Sequence, residues 1–165
     1  MEPTPFARGP MLAITFLRIF IGWHFFYEGL NKLNAPSWSA AGFLKQAKGP
    51  FAGLFHSIAA SPGTLANSDL ITMWLLTIVG ACLILGLFTR LASLGGIAFL
   101  LMVYFAAPPW IGYFYTVPSE GNYLIVNKNL IEAAALAVIF FTGSGRFYGL
   151  DRIVSGLIGR KPQLA

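Results

Sequence analysis

The polar side chains of this chain stand out because their surroundings are so apolar. Arg18, His24, Glu28 and Lys32 fall inside or at the end of one hydrophobic run, and Asn127-Lys128-Asn129 followed by Glu132 opens another. A charged group at the centre of a membrane helix costs about 2.5–3.5 kcal/mol on insertion scales, so such groups turn to the protein interior and take partners. At about 100° per residue, His24, Glu28 and Lys32 share one helix face, with Arg18 beside it. Two carboxylates near an ammonium can hold different protonation states, as acid–base chemistry requires. Glu28, Glu132 and His24 are therefore the candidate proton carriers. Lys32, Lys128 and Asn129 are candidates for holding a ligand, and the aromatics Trp23, Phe26 and Tyr27 for lining an apolar slot. The plainer alternative stays open: an ion-pair and hydrogen-bond cluster that locks helix packing, with aromatics that only fill core or face lipid.

The elements that position these residues follow from composition. Of 165 residues 56% are hydrophobic and 10% charged, with a mean hydropathy of +0.69, whereas a soluble domain carries about 25% charged residues. Such a chain needs lipid as its solvent. Its length fits one domain of about four spans of roughly 20 residues. Apolar runs place them near residues 10–30, 70–88, 91–107 and 127–142, the last being short. The fold class expected is all-α, a four-transmembrane-helix bundle with short interfacial helices in the first loop and at the C-terminus. Thr89-Arg90 makes the second and third spans antiparallel neighbours, and Pro108-Pro109 stops the third. The first run is not read as a cleaved signal, because Arg18 interrupts it and no small-residue cleavage motif follows.

The outer loop, residues 31–69, is too long for a bare connection. Phe51, Leu54, Phe55 and Ile58 fall at helical spacing within it, while Trp38, Phe43 and Leu44 flank Lys45 and Lys48, a pattern suited to short helices on a membrane surface. Gly143-Ser144-Gly145 ends the fourth helix. Leu150, Ile153, Val154, Leu157 and Ile158 then form a stripe with Asp151, Arg152 and Arg160 off it, predicting an interfacial helix over residues 149–160. Arg18, a third of the way into its span, is expected to reach Asp151 as a structural ion pair. Ala92 and Gly96, and Ala133, Ala134, Ala135 and Ala137, permit close helix packing.

The formal net charge of +5 sits mostly at the ends of apolar runs, so membrane flanks explain it and nucleic acid is not a partner. Both termini in the cytoplasm puts Arg8, Arg90, Arg146, Arg152, Arg160 and Lys161 inside against Lys32, Lys45, Lys48 and Lys128 outside, the orientation expected in an inner membrane. The first and fourth spans are then antiparallel, and Glu28, Lys32, Asn129 and Glu132 should meet near the outer surface. Cys82, the single cysteine, cannot form an intrachain disulfide and reads as a small buried hydrophobe. No metal-ligand spacing, dinucleotide fingerprint, phosphate loop or nucleophile elbow is present. His24 and His56 lie too differently to ligate haem, so no cofactor is held covalently and any electron carrier comes from outside the chain.

Three stretches resemble the DoxX/DoxD family of small four-helix membrane proteins: RIFIGWHFFYEGLNKL at residues 18–33, LGLFTRLAS at 85–93 and NLIEAAALAVIFFTGSGRFYGLD at 129–151. The resemblance implies one of two functions. DoxD-like members are linked to thiosulfate oxidation with transfer to quinone, while many DoxX-like members look like accessory subunits of redox complexes. It therefore implies quinone as the external carrier and other membrane subunits as partners. The first reading is a quinone-linked redox subunit acting at the outer face; the second is a non-catalytic anchor of a larger complex.

Overall fold

The computed structural model describes residues 8–110, 112–115 and 124–157, and among these residues seven α-helices organise the chain. They are α1 (Arg8–Leu33), α2 (Ala41–Lys45), α3 (Ala52–Ala60), α4 (Pro62–Leu85), α5 (Thr89–Ala106), α6 (Lys128–Thr142) and α7 (Asp151–Leu157), with a 3-10 turn at Ser144–Arg146. Helices α1, α4 and α5 are long and apolar enough to cross a membrane. Helix α6 has 15 residues and rises about 22 Å at 1.5 Å per residue, shorter than the roughly 30 Å hydrocarbon layer. It packs beside α5 all the same, completing a bundle of four long helices.

The main seam lies between α1 and α4. A Cβ on Gly22 would come within 2.9 Å of Ile84 N and Leu83 Cβ, one on Gly80 would strike the backbone of Phe26, and one on Gly29 that of Thr77. The three glycines let two antiparallel backbones touch, the device that membrane helices use where no hydrophobic force draws them together. This seam was missed in the sequence, where Ala92, Gly96 and the alanines of the fourth span drew attention. Gly96 does pack closely, with a Cβ there meeting Leu136 Cδ1 at 2.8 Å. Around these contacts Ile21, Phe25, Leu76, Val79, Leu83, Leu100, Leu136 and Ile139 form the core.

Helix ends explain the boundary corrections. The second span was expected near residues 70–88, but α4 begins at Pro62, a first-turn proline after Ser61 that lacks only an amide hydrogen the helix would leave unpaired. Its polar first turns carry no hydrophobic signal, so the apolar run marks only part of the helix. Gly86, at φ 65°, ends α4: the N–H of Leu87 bonds Cys82 O at 2.9 Å, a left-handed cap. Helix α5 starts after Phe88, whose φ of 48° is a left-handed conformation costing a non-glycine residue about 1–2 kcal/mol. Asn127 caps α6, its side chain accepting from Leu130 N at 3.1 Å.

The first loop is more than surface cover. Leu44, Ala47 and Phe55 bury against Ala106 at the end of α5, and Lys48 and Gly49 donate their amides to Ala106 O at 3.0 and 3.3 Å. Asp69 accepts from Ala40 N at 2.8 Å, tying the loop to α4. Tyr115 donates to Pro108 O at 3.0 Å, and burial pushes its phenol up, keeping that donor protonated. Of the C-terminal helix expected over residues 149–160, residues 151–157 form α7; Ile158, Arg160 and Lys161 lie outside the described residues.

The seam gives a stability test. Gly80→Ala should lower unfolding stability in detergent by about 1–3 kcal/mol, since the neighbour is backbone and cannot yield. Gly53→Ala, in α3 with nothing within 4 Å of its would-be Cβ, should instead be neutral or stabilising by up to about 1 kcal/mol.

Candidate functional site

The α1–α4 seam fixes the rotation of α1. With Gly22, Phe25 and Gly29 buried, His24 and Glu28 fall on the flank of the inward face, one turn apart, while Trp23 and Tyr27 point outward. His24 Nδ1 donates to Glu132 Oε1 at 2.8 Å, bridging α1 and α6. The His24 side chain is 42% exposed and that of Glu132 12%. The carboxylate requires a donor, so Nδ1 carries the proton and Nε2 is left for an outside partner.

Glu28 takes Lys32, one turn along the same helix, as its ion partner. The Lys32 ammonium also lies 5.5 Å from the centre of the Trp38 ring, a favourable cation–π contact. Lys128, at the start of α6, is within electrostatic reach of both His24 and Glu28. Asn129 is half-buried on the same turn. Of the residues expected to meet near the outer surface, the structure joins Glu28 to Lys32 and places Glu132 on His24 rather than on Glu28 and Lys32, one to two turns deeper along α1.

Trp23 and Tyr27 stack on each other with ring centres 6.3 Å apart and are 59% and 53% exposed. They do not line an enclosed slot; they form an outer aromatic wall on the helix that carries His24. The cause is the seam, which turns Phe25 rather than its neighbours inward.

Arg18 lies toward the opposite end and is 1% exposed. The expected ion pair with Asp151 is not formed. Arg18 Nη2 donates to Tyr148 O at 2.7 Å, and Nη1 lies 3.4 Å from Ser144 Oγ as a long donor. Its Nε has no hydrogen-bond partner. Gly86 makes room for the guanidinium, since a Cβ there would sit 2.9 Å from Cζ and Nη1. Asp151 is occupied elsewhere: its carboxylate accepts from Phe88 N at 2.7 Å and Thr89 N at 3.0 Å. It caps α5 and holds the left-handed Phe88, a use of a carboxylate favoured by the helix dipole. Leu150 N to Leu85 O at 3.1 Å and Asp151 N to Gly86 O at 2.8 Å fasten the same segment to the α4–α5 turn. The glycines at 86, 145 and 149 were the available signal, of which only Gly145, within Gly143-Ser144-Gly145, was read, as a helix stop.

Long apolar helices that turn their charged groups onto one another define a multi-pass integral membrane protein. The DoxX family model matches residues 13–109, and the chain belongs to the DoxX family. The match spans α1 to α5, so the third resembling stretch, residues 129–151, lies beyond it. No solved structure matches the chain.

The role of Asp151 is separable from an ion pair with Arg18. Asp151→Ala should cost about 1–2 kcal/mol in thermal unfolding, and Asp151→Asn should recover much of that, because asparagine also caps helices. An ion pair would lose as much with asparagine as with alanine.

Proposed function

We propose that this DoxX protein is a membrane subunit for quinone-linked or sulfur redox chemistry at the extracytoplasmic face, with His24 and Glu132 as its proton-handling pair. The observation that supports this is the His24–Glu132 bridge, part-exposed at the flank of the bundle beside the Trp23–Tyr27 stack. A lipid-soluble quinone approaches from the side of a bundle, where the imidazolium form of His24, its Nδ1–H held by Glu132, offers its Nε2–H to a quinone oxygen beside an apolar ring stack. Quinone reduction adds two electrons and two protons to give quinol. With a thiosulfate-type donor, two anions join through a sulfur–sulfur bond and release the two electrons, so the protein has to supply protons and hold unlike charges. As imidazolium, His24 delivers one proton from Nε2 to a quinone oxygen, Glu132 holding Nδ1–H throughout, and the ring is reprotonated from the outer aqueous face to supply the second, with Glu28 the next carboxylate on the same flank. Lys32 and Lys128 draw the anionic donor or polarise the quinone carbonyl.

In this reading α6 is the fourth crossing, the His24 end faces outward and the termini lie in the cytoplasm of an inner-membrane protein. The distribution of basic residues over the whole sequence supports that orientation. The exposed imidazole also supports the second reading, a non-catalytic anchor in which a partner subunit's helix covers this flank, since an uncovered polar group in lipid is costly.

The test is quinone reduction by the purified full chain in nanodiscs, with thiosulfate as donor. Glu132→Gln should lower the rate by about 100-fold, the scale of a lost general acid–base pair, with folding unchanged by circular dichroism. A chain that neither binds quinone nor turns over, yet copurifies with other membrane subunits, refutes the redox reading and supports the anchor.

A further inference from the structure

At the Arg18 end, away from the redox candidates, a shallow groove opens between the start of α5 and α7, lined by Phe88, Arg90, Leu91, Arg146, Val154 and Ser155. Asp151 and Thr89 complete its lining. The geometry points to this groove as a binding site for one anionic phospholipid, its phosphate held by Arg90 and Arg146 and an acyl chain laid along α5.

Three observations carry this. Neither arginine is in an ion pair among the described residues. The carboxylate beside them, Asp151, has both oxygens engaged by the amides of Phe88 and Thr89, so it is not positioned as an ion partner for either arginine, and two guanidinium groups against one carboxylate leave the groove net positive and favour an anion. Guanidinium groups are matched to phosphate oxygens in shape and donor number. Beyond the arginines the surface turns apolar at once: Leu91 and Leu94 are 70% and 54% exposed, and Ala98 and Met102 continue the exposed strip along α5. A charged clamp at the mouth of an apolar strip on a membrane-crossing helix fits a lipid, with its headgroup at the interface and its tail in the bilayer, better than it fits free phosphate. Arg90 also lies across the end of α6, 3.7 Å from where a Cβ on Gly143 would be, so its occupant would brace α5 against α6.

The proposal is independent of the redox reading. The purified full chain is compared by native mass spectrometry and thermal unfolding with added phosphatidylglycerol, phosphatidylcholine or inorganic phosphate. Phosphatidylglycerol should be retained and should raise the unfolding temperature, while the zwitterionic lipid of equal chain length should bind at least about tenfold more weakly. Arg90→Gln/Arg146→Gln should weaken phosphatidylglycerol retention about tenfold or more. Arg8→Gln/Arg152→Gln, which removes the same charge from the same end outside the groove, should leave it within about twofold. Equal loss in both variants overturns the proposal in favour of general attraction of anionic lipid to a basic end. Equal binding of the two lipids in the unaltered chain overturns it whether or not the variants fold. Stabilisation by inorganic phosphate as strong as that by lipid overturns the acyl-chain assignment.

Discussion

Backbone contact between α1 and α4 at Gly22, Gly29 and Gly80 is the constraint from which the other features follow. It permits a single rotation of α1: turning the helix by one residue would bring the Ile21 or Trp23 side chain to the place of Gly22, where α4 leaves no room for even a methyl group. With the rotation fixed, Arg18 must point into the bundle, His24 and Glu28 must flank it, and the Trp23–Tyr27 stack must look outward. The polar chemistry of the molecule is thus set by residues that have no side chain.

The two ends then solve the problem of charge in an apolar solvent differently. At one end charges meet charges, His24 with Glu132 and Glu28 with Lys32. At the other a guanidinium almost wholly out of contact with solvent is held by a carbonyl and a distant hydroxyl, its Nε left without a partner, while the nearby carboxylate accepts from two backbone amides. A buried ion pair is a weak source of stability because both partners must be desolvated. Engaging each charge with peptide groups instead lets Arg18 and Asp151 each fasten a different piece of backbone, so that α1, the α4–α5 turn and the segment after α6 close into one structure.

Much of this was legible in sequence, for reasons that can be named. Apolar runs located all four long helices, and charged residues at four-residue spacing located the polar face of α1, because both signals are local and periodic. The family match over residues 13–109 agrees with two of the three stretches quoted for the resemblance. What escaped was non-local. Pro62 starts α4 well before the hydrophobic run, since helix formation does not need apolar residues. Asp151 looked like a partner for Arg18 because opposite charges invite pairing, but the strained amide of Phe88, which outbids Arg18 for it, is visible only once the α4–α5 turn is built. The glycines of the seam carry no side-chain periodicity, and a glycine at positions 22 and 29 reads as an ordinary small residue until another helix is laid on it.

The shift of Glu132 from Glu28 to His24 has the same origin. Both helices are tied together at the Arg18 end, through the contacts of Arg18 with Ser144 and Tyr148. From that tie α1 rises about 9 Å to His24 and α6 about 15 Å from its last residue to Glu132, at 1.5 Å per residue. The difference is taken up by the length of the Arg18 side chain and by the residues that follow α6, since its partners Ser144 and Tyr148 lie beyond Thr142. The register of the candidate site is therefore set together by the packing of α6 on α5 and by the Arg18 contacts that close the segment after α6 onto α1.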